Sequence, residues 1–112
     1  MTNTRIYWNE IVTFQTKYFP KWRNLPAYYW SNALAGEVGE ICNTVKHLVG
    51  GGTKAEDYIV TFDKLKEEIG DTLIYFVLIC MYYDISPDNL DTIFENTLSK
   101  NIRRKEEVPK ND

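Results

Sequence analysis

The sequence has 112 residues, of which 13 are basic and 16 acidic, so its net charge is −3. A chain of this length predicts a single domain over residues 1–112, with loose segments at 1–3 and from about 107 to 112. The acidic balance argues against nucleic acid as a partner, although the segment Arg103-Arg104-Lys105 is locally basic.

Neither a targeting segment nor a membrane span is expected. Residues 1–5 are without the apolar stretch of a signal peptide. The apolar run after Asp71 holds about twelve residues, too few for a bilayer of about 30 Å. Cys42 and Cys80 are predicted on apolar or near-apolar helix faces, as reduced core residues. These features predict a cytoplasmic protein outside the membrane.

Apolar residues recur at helical spacing in four segments, and the sequence shows no strand pattern. The second helix is expected to stop at Gly50-Gly51-Gly52, and Ser86-Pro87 is a helix start. The third helix begins either at Thr53, which has capping-box spacing to Glu56, or near Phe62. The predicted helices cover residues 4–19, about 27–48, 53 or 62 to about 84, and 86 to about 107.

Aromatic and apolar residues are abundant around the first three helices. The first helix has its predicted apolar stripe at Ile6, Tyr7, Ile11, Phe14 and Tyr18. The cluster Trp22, Tyr28, Tyr29 and Trp30 is explained either by core packing or by a stacking wall for a flat ligand. Residues 72–83 are apolar almost all round, which predicts self-association because one small bundle cannot cover them.

Two acidic pairs lie within the second and third helical patterns. Glu37 with Glu40, and Glu68 with Asp71, have the three-residue spacing of helix neighbours. If the two helices pack antiparallel, four carboxylates meet at the edge of the bundle and repel one another unless a cation lies among them. Hard oxygen ligands suit Mg²⁺ or Mn²⁺. A solvated helix face is the alternative, and the apolar run that follows Asp71 argues against it.

Other catalytic chemistries lack their residues. A di-iron bundle needs Glu-x-x-His on two helices, but the only histidine, His47, follows Thr44 at that spacing. A lone histidine also gives no Ser/His/Asp set. An all-carboxylate site fits Mg²⁺, which keeps several waters and usually meets a phosphate. Such ions support substitution at a phosphoryl group.

The segments 36–46 and 66–75 resemble the MazG family of nucleotide pyrophosphohydrolases, whose pattern is Glu-x-x-Glu followed by Glu-x-x-Asp. This family belongs to the all-α nucleoside triphosphate pyrophosphatases, with the dimeric dUTPases and the dCTP pyrophosphatases. The likeness runs from about Leu34 to Arg104. It implies a four-helix bundle completed by dimerisation, often as a tetramer, and hydrolysis of a nucleoside triphosphate to monophosphate and pyrophosphate.

The resemblance also implies roles for individual residues. The four acids match the Mg²⁺-binding positions, where Mn²⁺ can substitute, and we assign Glu40 as the general base. Tyr75 matches a nucleotide contact, and Asn101 with Arg104 resembles an element that reaches sugar and phosphates. His47 stands where the dCTP-directed relatives carry an aromatic residue that stacks on the base. The predicted substrate contacts are Trp22, Trp30, His47, Tyr75, Asn101 and Arg104.

The leading hypothesis is a Mg²⁺-dependent (deoxy)nucleoside triphosphate pyrophosphohydrolase that cleans the nucleotide pool. A stricter dCTP or dUTP pyrophosphatase is the rival within the enzyme class. A helical interaction module that binds a partner through Tyr82-Tyr83 is the rival from another class. A small nucleic-acid-binding regulator is the third, and the net charge argues against it.

Overall fold

The computed structural model describes residues 2–49 and 55–107, with side chains at 4–49 and 57–107. These residues form four α-helices and one short 3₁₀ helix, and no strand occurs among them, so the predicted all-α class is confirmed. In chain order the elements are α1 (Thr2–Tyr18), the 3₁₀ helix (Trp22–Asn24), α2 (Ala27–Val49), α3 (Ala55–Tyr82) and α4 (Pro87–Glu107).

The helix boundaries follow the sequence signals closely. The first helix ends before Pro20 as predicted, but it begins at Thr2 and not at residue 4. The third helix takes the earlier of its two possible starts, at Ala55. The predicted glycine loop at 50–52, the Thr53 half of the capping box and the tail after Glu107 lie outside the described residues.

α2 and α3 form the main packing unit, an antiparallel pair of long helices. The buried core lies beside this pair and consists of Trp8, Trp22, Trp30, Leu78, Cys80 and Met81. Cys80 is buried as predicted, but the prediction for Cys42 is wrong, because Cys42 is exposed. Cys42 lies two residues from the buried Thr44, about 200° round the helix, so it points away from α3.

Of the apolar stripe predicted for α1, Ile11 packs against the core, but the other four residues lie outside the packed face. Ile6, Tyr7, Phe14 and Tyr18 are all more than half exposed. The face turned to the core instead carries Trp8, Ile11, Val12 and Gln15, at positions i, i+3, i+4 and i+7 of the helix. Both faces of α1 are apolar, and only one of them is covered by the described part of the chain.

A sharp turn separates α3 from α4. Asp84 has a φ of 56°, in the left-handed region that ends many helices, and Ile85 N–H donates back to the Cys80 carbonyl at 2.8 Å. The fourth helix then begins with reciprocal capping, because Asn89 N–H donates to Ser86 Oγ and Ser86 N–H donates to Asn89 Oδ1, both at 3.1 Å. The two helices consequently lie at 104° to each other.

α4 is the least covered element of the fold. Its N-terminal end is tied to α1 by an ion pair between Arg5 and Asp88 at 2.6 Å, and Leu90 packs against the core. The rest of its apolar stripe, which we call the α4 stripe, is exposed and consists of Ile93, Phe94, Leu98 and Ile102. No α4 residue is buried.

The whole chain is open for its size. It exposes 8848 Å², whereas a compact monomer of 13.1 kDa exposes about 6,400 Å². Its radius of gyration is 18.2 Å, against about 13 Å for a compact domain of this length. The excess, about 2,400 Å² of surface, is comparable with the area that a stable protein interface buries.

No single helix in the described ranges has both the length and the apolar character needed to cross a bilayer; only the bent pair 57–82 with 87–107 meets that test of length and composition.

Candidate active site

The carboxylates of the two predicted acidic pairs converge between α2 and α3. The pKa of the Glu37 carboxyl is raised above its ordinary value of 4.5. Burial is the largest cause, and the charges of Glu40, Asp71 and Glu68 follow, with hydrogen bonding to Glu40 also contributing. Charges act this way on a neighbour only at short range. The antiparallel packing of α2 and α3 therefore brings both pairs to one place.

Glu68 is fixed in this cluster from both helices. Its side chain is 6% exposed, and Thr44 of α2, itself 3% exposed, donates a hydrogen bond of 2.5 Å from Oγ1 to Glu68 Oε1. One turn later in α3, Thr72 Oγ1 donates to the Glu68 backbone carbonyl at 2.7 Å. The bond from Thr44 partners the buried carboxylate, because burying a charge without a partner is costly.

The donors in this cluster fit a hard divalent cation. Glu37 Oε2 is buried and accepts no hydrogen bond within the described part of the chain, so its lone pairs are open to a ligand. Among the described side chains, no group of three Asp, Glu, His or Cys residues is placed to hold a metal ion. Mg²⁺ does not require one, because it keeps several waters and takes one or two carboxylates together with phosphate oxygens.

A cavity of about 680 Å³ adjoins the acids. Glu37 and Asp71 line it, and so do Trp22, Trp30 and Tyr75. The Trp22 and Trp30 rings meet edge to face at 6.0 Å, and the Trp30 and Tyr75 rings lie 6.3 Å apart. Both tryptophans belong to the core as well as to the cavity lining, so core packing is confirmed, and a ligand wall stays a prediction.

Tyr75 joins the aromatic wall to the acids. The pKa of its phenol is raised, first by burial and then by the charges of Glu37, Tyr29 and Asp71. The phenol therefore keeps its proton at neutral pH and can donate a hydrogen bond inside the cavity. Tyr75 follows Asp71 by one turn of α3, and its ring lies 6.3 Å from that of Trp30, so it adjoins both the acids and the aromatic wall.

Three predicted substrate contacts lie elsewhere in the structure. His47 is exposed near the end of α2 and does not line the cavity. Asn101 and Arg104 are exposed on α4, which does not pack on α2 or α3 beside the acids. Their roles as substrate contacts stay predictions, and within one copy of the chain they are not part of the cavity wall.

Two residues of the site were missed by the sequence analysis. Thr44 was considered only as the residue that replaces a glutamate before His47, although its spacing from Glu40 and Glu37 puts it on the same face of α2. Gln15 lines the cavity and is 5% exposed. Its signal was present, because it follows Trp8, Ile11 and Val12 at helical spacing as a polar residue on an apolar face.

One comparison with known proteins matches the family that the two acidic pairs suggest. The model of the MazG nucleotide pyrophosphohydrolase domain matches residues 30–109, which include both pairs and most of the chain. Comparisons with curated proteins and with solved structures gave no significant match. Enzymes of the matched family are generally dependent on divalent metals. The all-α fold, the converging carboxylates and this match together identify the chain as a member of the MazG nucleotide pyrophosphohydrolase family.

Proposed function

We propose that this protein is a Mg²⁺-dependent hydrolase that converts nucleoside or deoxynucleoside triphosphates to the monophosphate and pyrophosphate, as a house-cleaning enzyme of the nucleotide pool. The observation that supports this most directly is the cavity that combines Glu37 and Asp71 with an aromatic wall. Such a cavity suits a ligand with a flat ring at one end and an anionic chain at the other. A nucleoside triphosphate has both.

The acids would divide the chemistry among them. Glu37, Glu40, Glu68 and Asp71 would hold Mg²⁺, which when bound balances phosphate charge and makes water more acidic. Glu40 is exposed, unlike Glu68, so it can exchange a proton with solvent. We assign it to accept the proton of the attacking water as the water oxygen bonds to the α-phosphorus. The bond from that phosphorus to the bridging oxygen breaks, and pyrophosphate leaves.

The aromatic wall would hold the base. Trp22 and Trp30 offer ring surface, and Tyr75 offers a protonated hydroxyl group between the base and the acids. Base stacking is worth about 1–3 kcal/mol in other nucleotide binders. We therefore expect Tyr75→Ala to raise KM for a triphosphate about tenfold and to change kcat less.

A second copy of the chain would complete the site. The α4 stripe is exposed, and Asn101 and Arg104 lie on the same helix, away from the acids of their own copy. We propose a dimer, or a tetramer built from dimers, in which α4 packs on the neighbouring copy and carries these two residues to its phosphates. The excess surface of about 2,400 Å² is large enough for such an interface.

The test is pyrophosphate release from a panel of ribo- and deoxyribonucleoside triphosphates with Mg²⁺. Phosphate is detected with and without added inorganic pyrophosphatase, because only pyrophosphate needs that second enzyme. Glu40→Gln and Asp71→Asn should each lower kcat by about a hundredfold or more. Glu67→Gln is the matched control, since Glu67 is an exposed acid next to Glu68. Absence of pyrophosphate from every nucleotide would overturn the proposal.

A further inference from the structure

The wall of the cavity contains a buried amide from α1. Gln15 is 5% exposed and lies on the face of the helix that carries Trp8 and Val12. Its backbone carbonyl accepts a hydrogen bond from Phe19 N–H at 2.8 Å. Its side-chain amide takes no part in that bond and adds a donor and an acceptor to the wall of the cavity. Buried amides are normally paired, so a ligand in the cavity is a fitting partner for this one.

Another polar group of the same wall has no hydrogen-bond partner among the described residues. The Trp30 indole Nε1 is buried, and no acceptor among the described residues reaches it. Trp30 lines the cavity together with Gln15. Glu37 Oε2, in the same wall, is likewise buried and unpaired within the described part of the chain, and two such atoms in one wall are unusual for a folded chain. They are expected in a site whose hydrogen bonds are completed by what binds there.

The position of Gln15 indicates which part of a nucleotide it meets. Trp30 precedes Glu37 by two helical turns, so the aromatic end lies about 10 Å along α2 from the acids. If the acids take the phosphates, the base lies at the aromatic end, where Gln15 joins Trp22 and Trp30 in the wall. Aromatic rings stack on any base, so stacking gives little discrimination. Selectivity then depends on hydrogen bonds to the edge of the base.

We propose that Gln15 is the residue of this chain that reads the base edge, through hydrogen bonds from its side-chain amide; this inference rests on the proposed function. An amide carries both a donor and an acceptor. It therefore matches a base edge that presents an adjoining acceptor and donor, as the bases of nucleotides do.

Two substitutions distinguish a Gln15 that hydrogen-bonds to the base from a Gln15 that only packs in the wall. Gln15→Leu keeps the volume and removes both hydrogen-bonding groups, so it should weaken binding of the preferred nucleotide about tenfold and make the base ranking flatter. Gln15→Glu leaves acceptors only. It should shift preference about tenfold toward bases that donate from an amino group, namely cytosine, adenine and guanine, and away from uracil and thymine.

Binding is measured by calorimetry with the nucleoside monophosphates, and kcat/KM with the triphosphates. Asn9→Leu is the control, because Asn9 is an exposed amide of the same helix that does not line this cavity. It should leave both rankings unchanged. If Gln15→Leu weakens all bases equally, or if Gln15→Glu does not reorder them, Gln15 is a packing residue and the inference is overturned.

The two proposals fail in different ways. Loss of the proposed reaction would appear as no pyrophosphate from the wild-type protein with any base. The monophosphate rankings do not depend on turnover, so they still test Gln15 in that case. A wild type that binds every base equally would overturn the inference about Gln15 and leave the reaction untouched.

Discussion

Thr44 Oγ1 donates a hydrogen bond of 2.5 Å to Glu68 Oε1, between two side chains that are both nearly inaccessible to solvent. This contact joins α2 to α3 within the acidic cluster. Hydroxyl groups that orient a metal-binding carboxylate commonly change metal affinity when they are removed. Thr44 is therefore a positioning residue for Glu68 under the proposed function.

Thr44→Val should lower the affinity for Mg²⁺ by about tenfold to a hundredfold, because Glu68 loses the donor that orients it. The unpaired carboxylate should also lower the free energy of unfolding by about 1–3 kcal/mol. Mg²⁺ titration of turnover and thermal unfolding measure the two effects. Thr44→Ser restores the hydroxyl and should recover the Mg²⁺ response. A normal Mg²⁺ response in Thr44→Val would show that the contact is structural only.

The raised pKa of Glu37 predicts a dependence of stability on pH in the absence of metal. The folded state binds the Glu37 proton more tightly than the unfolded state, whose carboxyl has a pKa near 4.5. Stability from this group is therefore greatest below that value and is lost as pH rises through the folded-state pKa. Glu37→Gln has no such loss.

In EDTA, the Tm of Glu37→Gln minus the Tm of the wild type should therefore increase as pH rises from about 4 to 7. Added Mg²⁺ should stabilise the wild type more than this variant. Thermal unfolding across a pH series gives both comparisons. A Tm difference that stays constant with pH would contradict the coupling of Glu37 to its acidic neighbours.

The exposed α4 stripe predicts that a charge on it prevents assembly. Phe94→Asp should convert the oligomer to monomer and lower Tm, because a charge buried in an interface is costly. Asn96→Asp is the control, since it adds the same charge about 200° round the helix. Sedimentation velocity at micromolar concentration distinguishes them. A wild type that sediments as a monomer would remove the basis for this prediction.

Mixing two inactive variants tests whether α4 serves the neighbouring copy. Glu40→Gln removes the proposed base, and Arg104→Ala removes the proposed phosphate contact. After joint refolding, about half of the dimers pair the two variants and have one intact site each, which gives about a quarter of wild-type activity. No recovery would place Arg104 in the site of its own chain, and full activity of Arg104→Ala alone would place it outside any site. Either variant refolded alone is the control.

The parts of the structure that the sequence predicted are those with a local signal. Pro20 and Ser86-Pro87 mark helix limits by their own backbone chemistry, and those limits were found. The two acidic pairs were predicted because helical spacing alone makes each pair neighbours. The packing of α2 on α3 then joined the pairs, as two apolar stripes that are close in the sequence suggest.

The errors arise where two faces compete. α1 is apolar on both sides, so spacing did not distinguish the face of Trp8 and Val12 from that of Tyr7 and Phe14. The choice depends on which face meets α3, a long-range contact that no local pattern contains. Gln15 was missed for the same reason, since its burial follows from that choice. The direction of α4 likewise depends on one left-handed residue, Asp84, in the turn before it.

If the exposed surface of this chain is covered by a neighbouring copy, its stability and activity depend on protein concentration. Under the proposed assembly, a protomer that exposes about 2,400 Å² beyond the compact expectation would depend on a neighbouring copy for stability. When folding and association are linked in this way, Tm rises with protein concentration. Activity per molecule should then fall as the protein is diluted. A cell that makes few copies would have less than a proportional share of the activity, and the unassembled copies would be the ones that proteases remove.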